Sequence, residues 1–385
     1  MTIQARKAIP IPQVEPRKPI PEQNLRIPGP TPVPADVLKE LTQPLINHRG
    51  PEFAAILQRV TARLQYFFQT TSPVLTYSAS GTGGQEAAIA NLFSPGDHVV
   101  AISTGYFGNR LATIPERFGL QVTRIEFPWG EYADPTSVEA RLKSLESYKA
   151  VLMTHNETST GVVNDVETLA NHIRRLNPDA LIVVDAVSSL GCMPLEMDPW
   201  DIDVVFTSSQ KGWMTPPGLM MIAASPRAWE ANKTAKSPRF YFDWELARKY
   251  LEKWQHPTTP PVSLFYALDL ALEKMLEEGR EAIFERHQRI GDYVRWRAKE
   301  MGLRLLADHK NASNTVTAVL TPEGIDTKAL LSVLREQDHV VFAGGQQHLE
   351  GKIFRVGHLG FFEEVDLVEA MDKMEMRLQA FGFKG

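Results

Sequence analysis

Two short apolar runs enclose the stretch Phe206-Thr207-Ser208-Ser209-Gln210-Lys211-Gly212-Trp213-Met214-Thr215-Pro216-Pro217-Gly218. The runs, Asp203-Val204-Val205 before it and Leu219-Met220-Met221-Ile222 after it, are typical of buried strands. Lys211 therefore lies on a short loop at a strand end. Such a lysine is most often a solvent-exposed charge. It can instead be an amine in a dry site, where desolvation lowers its pKa enough for it to form a Schiff base with an aldehyde.

A second apolar run, upstream of this stretch, ends in a carboxylate. Leu181-Ile182-Val183-Val184 is followed by Asp185, at the strand end where open α/β sheets bind their ligands. A buried carboxylate is costly unless it meets a cation, and the protonated ring nitrogen of pyridoxal 5′-phosphate (PLP) is such a cation. At about 4 Å and an effective dielectric constant of about 20, the pair is worth about 4 kcal/mol, or roughly three pKa units. Asp185 would thus keep the PLP ring protonated.

Three motifs follow one another in this part of the chain: Asp-x-Val-Ser-Ser-Leu-Gly from Asp185, Ser-x-Gln-Lys-Gly around Lys211, and Pro-Pro-Gly from Pro216. Together they resemble the class V aminotransferases of PLP fold type I. Within that class the chain is most similar to the bacterial and cyanobacterial alanine–glyoxylate and serine–glyoxylate (serine–pyruvate) aminotransferases. The resemblance extends from about Leu25 to the C-terminus, and it implies PLP as the cofactor and Lys211 as the catalytic residue.

Length and composition are those of an ordinary globular chain. The 385 residues suit a large α/β domain with a smaller companion, and 43% of them are apolar against 23% charged. The formal net charge of −5 provides no basic surface for nucleic acid or an anionic membrane. We therefore expect neither partner, and we find neither a signal segment nor a transmembrane run.

Cys192 is the only cysteine in the sequence, so no internal disulfide and no thiolate metal cluster can form. This usage suits a reducing cytoplasm, where we expect the protein to reside. The ten histidines show no HxH or HxxxH ligand spacing. One thiol also cannot supply the ligands of an iron–sulfur or nickel–iron centre, so we expect no metal.

The order of predicted elements indicates an α/β fold. Strands and helices alternate from residue 74 to residue 185, which calls for a mainly parallel sheet between two layers of helices, and the resemblance implies a sheet of the seven-stranded type. We predict three segments: a Pro-rich N-terminal arm over residues 1–24, a large PLP-binding domain over 25–280, and a small α+β domain over 281–385. The second boundary rests on an interruption between two helical stretches near residues 278–282.

A glycine-rich turn precedes the first helix of the alternating region. Ser80-Gly81-Thr82-Gly83-Gly84 can direct backbone N–H groups toward an anion at a helix N-terminus, although such turns are often only turns. The turn is neither a Walker loop nor a dinucleotide-binding fingerprint. The resemblance makes Thr82, Gly83 and Gly84 candidates for holding the cofactor phosphate, with Gln210 as a further donor.

The resemblance assigns roles to two residues that follow later strands. Phe107 stands where many relatives have a tryptophan that stacks on the cofactor ring, and core packing would explain this residue equally well. Thr158 stands where the family often has serine, so its hydroxyl would bond the phenolic oxygen of the ring. His155, next to this region, is interpreted as a structural histidine rather than a catalytic base.

The remaining candidates concern the substrate and a second subunit. By the resemblance, Arg355 binds the substrate α-carboxylate, a role that requires its two-pronged guanidinium. Gly29 would let backbone pass the substrate, or would simply form a rigid turn. Thr259 would reach the cofactor phosphate of a partner subunit, which implies a homodimer with shared active sites. Near His256 some relatives have a tyrosine, so a second contact from the partner is in question.

The resemblance implies a ping-pong aminotransferase in which Lys211 forms the aldimine and then moves a proton at the substrate Cα. Alanine or serine would be the donor, and glyoxylate or pyruvate the acceptor. No second fixed cation is obvious, which favours small substrates. One alternative keeps the fold and makes the chain a PLP lyase such as a cysteine desulfurase, which would need a nucleophilic cysteine such as Cys192. Another is a non-enzymatic partner subunit of a redox complex.

Overall fold

The computed structural model describes residues 19–308 and 310–385, so residues 1–18 of the predicted Pro-rich arm lie outside the described residues. The helices are α1 (Ala35–Glu40), α2 (Pro51–Phe68), α3 (Gly81–Leu92), α4 (Tyr106–Arg117), α5 (Pro135–Lys143), α6 (Val166–Leu176), α7 (Pro226–Thr234), α8 (Trp244–Leu251), α9 (Val262–Glu278), α10 (Arg280–Glu300), α11 (Thr327–Gln337) and α12 (Glu364–Ala380). In these described ranges no helix is both long and apolar enough to cross a membrane.

The strands are β1 (Asn24–Arg26), β2 (Val74–Tyr77), β3 (His98–Ser103), β4 (Gln121–Glu126), β5 (Ala150–Thr154), β6 (Asn156–Glu157), β7 (Val162–Val163), β8 (Leu181–Asp185), β9 (Val204–Ser208), β10 (Met220–Ala224), β11 (Val316–Leu320), β12 (Val340–Gly344) and β13 (Ile353–Gly357). A large sheet has the order β2-β10-β9-β8-β5-β3-β4. In it β10 runs antiparallel to both neighbours, and every other neighbouring pair is parallel. The predicted mainly parallel, seven-stranded sheet is confirmed.

Strand β8 shows how this sheet is held between two layers of helices. Ile182 and Val184 pack into a core that includes side chains of α2, α6 and α9, whereas Leu181 and Val183 pack into a second core with α3, α4 and α8. Successive side chains of a strand point to opposite faces, so a continuous apolar run is what a sheet covered on both faces requires. Each fully buried aliphatic side chain contributes about 1.5–3 kcal/mol.

A smaller sheet, with the order β1-β12-β13-β11, lies in the C-terminal part of the chain. Helices α10, α11 and α12 cover it and share its core, which matches the predicted α+β character. Residues 25 and 26, which we placed at the start of the large domain, form part of this smaller sheet. Leu25 and Arg26 pair in parallel with Val341 and Phe342 of β12, and Arg26 also forms an ion pair of 2.9 Å with Asp366 of α12.

The interruption predicted between two long helices is present at Gly279, which separates α9 from α10. Its φ of +87° lies in the region that favours glycine, and no atom lies within 4 Å of where a Cβ would be. The glycine N–H donates to the carbonyl of Met275, and its own carbonyl accepts from Ile283, each at 3.0 Å. Gly279 therefore ends one helix and begins the next without leaving its peptide groups unbonded.

Candidate active site

The carboxyl ends of β2, β3, β5, β8 and β9 meet at one edge of the large sheet, and Lys211 follows β9 there. Its loop is fixed by internal bonds, because Ser209 Oγ donates to the carbonyl of Pro216 at 2.7 Å and accepts from the N–H of Leu219 at 3.2 Å. Trp213 is fully buried beneath the loop. The lysine therefore extends from a rigid support, as its Ser, Gly and Pro neighbours predicted.

The N-terminal segment crosses directly over the lysine amine. Lys211 Nζ donates to the carbonyl of Pro28 at 2.5 Å. A Cβ on Gly29 would lie 2.4 Å from Nζ, and the φ of this glycine is +132°. A larger residue would meet the lysine side chain, so backbone passes close to the amine at Gly29, and the predicted approach of Gly29 to a substrate stays a prediction.

The pKa of the Lys211 amine is lowered from 10.5 to about 8. Burial is the largest cause, because the charged form loses its hydration, and the positive charge of Arg355 lowers the pKa further. The carboxylate of Asp185 acts in the opposite direction, while Arg110 again lowers the value. The neutral, nucleophilic amine is therefore about two orders of magnitude more abundant at pH 7 than in an exposed lysine.

Asp185 ends β8 and is only 5% exposed. Its carboxylate accepts from Gln85 Nε2 at 2.7 Å and from the N–H of Val187 at 3.0 Å. Burial raises the pKa of Asp185, and these two hydrogen bonds oppose the shift. Within the described residues no lysine or arginine forms an ion pair with this carboxylate. Its charge is therefore oriented by neutral donors and remains available to a cation.

A cavity of about 160 Å³ separates Lys211 from Asp185, and its walls are formed by Ser80, Gly81, Thr82, Gln85, Phe107, Arg110, Thr154, Asn156, Thr158, Asp185, Val187, Ser188, Gln210 and Lys211. The carboxamide oxygens of Gln85 and Gln210 are buried there and have no hydrogen-bond partner in the described part of the chain. Unsatisfied buried oxygens of this kind are expected where a ligand completes the site. The donor set, a nucleophilic amine opposite a buried carboxylate, fits PLP.

The predicted phosphate seat is only partly as expected. Thr82 faces the cavity, but Gly83 and Gly84 belong to the first turn of α3, which begins at Gly81, inside the stretch that we predicted to be a turn before the helix. A Cβ on Gly84 would lie 2.7 Å from the ring of Phe206, and one on Gly83 would lie 2.9 Å from the Cβ of Ala79. Gly84 therefore serves close packing of α3 on the sheet, Gly83 packs against Ala79 and Phe242, and neither glycine lines the cavity.

The ring of Phe107 lies at the cavity, as predicted, and a residue that the sequence reasoning missed fixes its backbone. Glu157 is fully buried, and its Oε2 accepts from the N–H groups of Phe107 and Gly108 at 3.0 and 2.9 Å. Its Oε1 accepts from Ser159 Oγ at 2.6 Å. Burial raises the pKa of Glu157, and these bonds oppose the shift. The sequence feature that could have identified Glu157 is that it is a lone acidic residue within an uncharged segment.

Arg110 is a second residue that the sequence reasoning missed. Its Nη1 donates to Thr82 Oγ1 at 2.9 Å, and its guanidinium lies 5.0 Å from the ring centre of Phe107. The signal was its spacing, because residues three apart on a helix share a face. Arg110 therefore faces the cavity together with Phe107.

Arg355 extends from β13 toward the same region and is almost fully buried. Its Nη1 donates to the carbonyl of Thr158 at 3.0 Å and to the Gln346 side chain at 3.2 Å, and its Nε and Nη2 donate to the carbonyl of Gly344 at 2.9 and 2.7 Å. Burial lowers the pKa of Arg355 to about 10, and the charge of Glu157 opposes the shift. All four hydrogen bonds go to neutral oxygens, so its charge lacks a carboxylate partner among the described residues. The Thr158 side chain lines the cavity beside it.

Four other residues lie apart from the cavity walls. Thr259 is exposed on the protomer surface. His256 is buried between the rings of Phe53 and Phe265, which makes it a core residue rather than a substitute for the partner contact in question. Burial lowers the pKa of His155 to about 4, and its Nδ1 is buried without a hydrogen-bond partner in the described part of the chain. Burial raises the pKa of the Cys192 thiol to about 12, which disfavours the nucleophile that a desulfurase needs.

Comparison with known sequences defines the class of protein to which this site belongs. The family model for aminotransferase class V matches residues 25–356, so the chain belongs to that family, whose cofactor is PLP. The match includes every cavity residue described above. In the described ranges no cluster of three or more His, Cys, Asp or Glu residues could hold a metal ion.

Individual relatives carry different names. The "Soluble hydrogenase, small subunit" of Synechococcus sp. (strain PCC 6716) is 45% identical, over 93% of this chain and 94% of the relative. The L-aspartate–glyoxylate aminotransferase of Paracoccus denitrificans is 38% identical, over 92% of this chain and 91% of its own. The crystal structure of the alanine–glyoxylate aminotransferase of Nostoc sp. superposes with a TM-score of 0.90 at 33% identity, covering 95% of this chain and 97% of that one.

Proposed function

We propose that this aminotransferase moves the amino group of a small amino acid, alanine or serine, to glyoxylate or pyruvate. The observation that carries the proposal is the placement of Lys211 and Asp185 across one cavity, with Arg355 close enough to lower the pKa of the amine. The names of the Paracoccus and Nostoc relatives share glyoxylate and differ in the donor. Glyoxylate is therefore the better supported half of the proposal.

Each charged residue has a distinct task in this proposal. When bound, PLP serves as an electron sink for the negative charge that develops at the substrate Cα. Asp185 would hold the proton on the ring nitrogen, because Gln85 and Val187 fix its carboxylate and no described side chain neutralises it. Lys211 would hold the cofactor aldehyde and, once an amino acid displaces it, remove the Cα proton as a neutral amine.

Arg355 would bind the α-carboxylate that amino donors and oxo acceptors have in common. Its guanidinium is oriented by the carbonyls of Gly344 and Thr158, which position it without neutralising it. A bidentate carboxylate would therefore replace weak neutral contacts with charge-assisted ones. Arg110, which lines the cavity, bonds Thr82 at the N-terminus of α3, on the side proposed for the cofactor phosphate, so the site favours small side chains over acidic ones.

We further propose that the active unit is a cytoplasmic homodimer. Thr259 is exposed on the protomer, where it is free to approach the phosphate seat of a second copy. The chain's own phosphate contacts would come from Thr82, the N-terminus of α3 and the side-chain NH2 group of Gln210, all at the cavity.

An absorbance spectrum of the purified protein tests the proposal directly. We expect a visible band that falls when L-alanine or L-serine is added and returns with glyoxylate, and that is absent in Lys211→Ala. Aspartate and pyruvate serve as comparison substrates, and the faster donor and acceptor define the activity. A wild-type protein that stays colourless with added PLP would contradict the proposal and favour a non-enzymatic role, such as a subunit of a redox complex.

A further inference from the structure

Arg110 is a cation at the cavity that forms no ion pair with a carboxylate among the described residues. Its Nη1 bonds Thr82 Oγ1 at 2.9 Å, and its guanidinium lies 5.0 Å from the ring centre of Phe107 and 5.1 Å from that of Tyr106. Its charge opposes the effect of burial, which raises the pKa of Asp185, but the two side chains are not in salt-bridge contact. By contrast, Arg124 on neighbouring β4 pairs with Glu116 at 2.8 Å. Arg110 therefore has room for a direct anionic partner that the described chain does not supply.

The bond to Thr82 determines what that hydroxyl can do. Thr82 Oγ1 accepts from Arg110, and no acceptor for its own proton is found in the described part of the chain. Thr82 is the second residue of α3. The N-cap residue of this helix, Ser80, makes no side-chain capping hydrogen bond. The Gly83 N–H already donates to the carbonyl of Ser80 at 2.9 Å, which leaves the N–H groups of Gly81 and Thr82. These two groups, the hydroxyl proton and the helix dipole all favour an anion at this point.

We propose that Arg110 is a positioning residue that prepares the site for the phosphate of PLP. Its guanidinium orients the Thr82 hydroxyl as a donor toward the phosphate, and the ring of Phe107 holds the guanidinium in place. This inference rests on the cofactor seat proposed above. It adds a residue that joins two parts of that seat, since Thr82 belongs to α3 and Phe107 to α4.

A substrate carboxylate is the other anion that Arg110 could meet, and the contacts favour the phosphate. Arg355 is oriented by carbonyls of the β6–β7 segment and of β12, on the side of the small sheet. Arg110 instead contacts the first turn of α3, where helix N-terminal amides suit a phosphate. Arg355 therefore contacts β12 and the β6–β7 segment, whereas Arg110 contacts α3. A phosphate bound at the N-terminus of α3 would lie on the side of Arg110.

Binding of PLP and of pyridoxal, which lacks the phosphate, separates this role from a general effect on folding. The cofactor would be removed from the full-length protein, and each compound titrated by visible absorbance into wild type, Arg110→Gln and Arg110→Lys. We expect Arg110→Gln to weaken PLP binding by about tenfold or more and to change pyridoxal binding by less than about twofold. Arg110→Lys should be intermediate, because it keeps the charge and loses the planar fork.

Two controls make the comparison specific. Arg117→Gln removes the same charge from the exposed end of the same helix and should leave both affinities unchanged. In Thr82→Val, which lacks the hydroxyl, adding Arg110→Gln should cost much less PLP affinity than it costs in the wild type. Thermal unfolding of each variant verifies that it is folded.

The proposal is overturned if folded Arg110→Gln loses PLP and pyridoxal affinity equally, or keeps both. It is likewise overturned if the effects of Arg110→Gln and Thr82→Val simply add, because Arg110 would then not act through Thr82. Failure of the proposed function gives a different result, since wild-type protein would then bind neither compound.

Discussion

Two buried aspartates of the large sheet lie on neighbouring strands and have opposite surroundings. Asp203 immediately precedes β9, is fully buried, and is bound by Arg174 and by Arg227, the latter at 2.8 Å. Asp185 ends β8, is 5% exposed, and is bound only by the neutral donors of Gln85 and Val187. The aspartate at one end of the sheet therefore has its counter-charge within the chain, and the aspartate at the other end does not.

This difference separates a structural charge from a functional one. A buried carboxylate needs a cation, and the chain supplies two cations to Asp203, which joins α6 and α7 to the sheet. At Asp185 the cation must come from a ligand, and the protonated ring of PLP meets that need. The two aspartates are buried to a similar extent, so burial does not distinguish them. Their hydrogen-bond and ionic partners do.

The largest effect is expected from Asp185→Asn. A neutral amide cannot hold the proton on the cofactor ring, so the rate of the half-reaction with the amino donor should fall by about 10²–10⁴-fold. Stopped-flow absorbance after mixing with L-alanine or L-serine measures this rate. Without the cofactor, the folded variant should be at least as stable as cofactor-free wild type, because a buried charge that has no ionic partner in that state has been removed. A half-reaction rate close to that of wild type would refute the functional interpretation of Asp185.

The matched substitution, Asp203→Asn, should reduce stability and leave activity almost unchanged. It leaves Arg174 and Arg227 without their buried counter-charge, which should lower the free energy of unfolding by about 3–5 kcal/mol. Urea unfolding measures this loss. The activity per folded molecule should stay within about twofold of wild type. A variant that is stable and inactive would show that the two aspartates do not differ in the way proposed.

Arginines show the same contrast between a residue paired within the chain and one left for a ligand. The substitution Arg355→Lys tests it. Arg174 is paired with carboxylates, whereas Arg355 bonds neutral oxygens and would take its carboxylate from the substrate. Loss of the two-pronged contact should raise the KM for the amino donor by about 10–100-fold. Steady-state kinetics gives the KM, and an unchanged visible band shows that the cofactor remains bound. An unaltered KM would mean that another group binds the carboxylate.

A smaller effect is expected from pH, through Lys211 in the cofactor-free protein. Because the folded pKa of its amine is about 8 rather than 10.5, the neutral form that attacks an aldehyde grows as pH rises and is largely complete above pH 9. The rate of PLP capture should therefore rise about tenfold from pH 6 to pH 7 and level off near pH 9. Absorbance kinetics across this range measures it. A rate that keeps rising to pH 11 would indicate an ordinary, hydrated lysine.

Much of the large sheet could be predicted from the sequence, because its strands are continuous apolar runs. Buried parallel strands such as β5 and β8 consist of few residues other than aliphatic ones, and the helices between them end at turns rich in Gly and Pro. The strand end at Asp185 and the loop of Lys211 followed from the same pattern. These features are local, so the sequence around them contains the information.

The features that could not be predicted from the sequence depend on contacts between segments that are far apart in the chain. Strand β1 has three residues and no apolar pattern, and its partner β12 lies near the other end of the chain. Helices α7 and α8 follow β10 in a polar region that the pattern left unassigned. Glu157 and Arg110 become site residues only through α4, which brings them against Phe107 and Thr82. The role of Thr259 stays a prediction, because it concerns a second subunit.

The crossing of Pro28 and Gly29 over the lysine has a consequence for how the protein matures. The crossing segment is anchored by β1, whose partner β12 follows every strand of the large sheet along the chain. During synthesis the large sheet can form first, but Lys211 then lacks its cover. We therefore expect the amine to acquire its lowered pKa only after β12 has been synthesised and has paired with β1. Capture of the cofactor would accordingly mark the end of folding rather than guide its beginning.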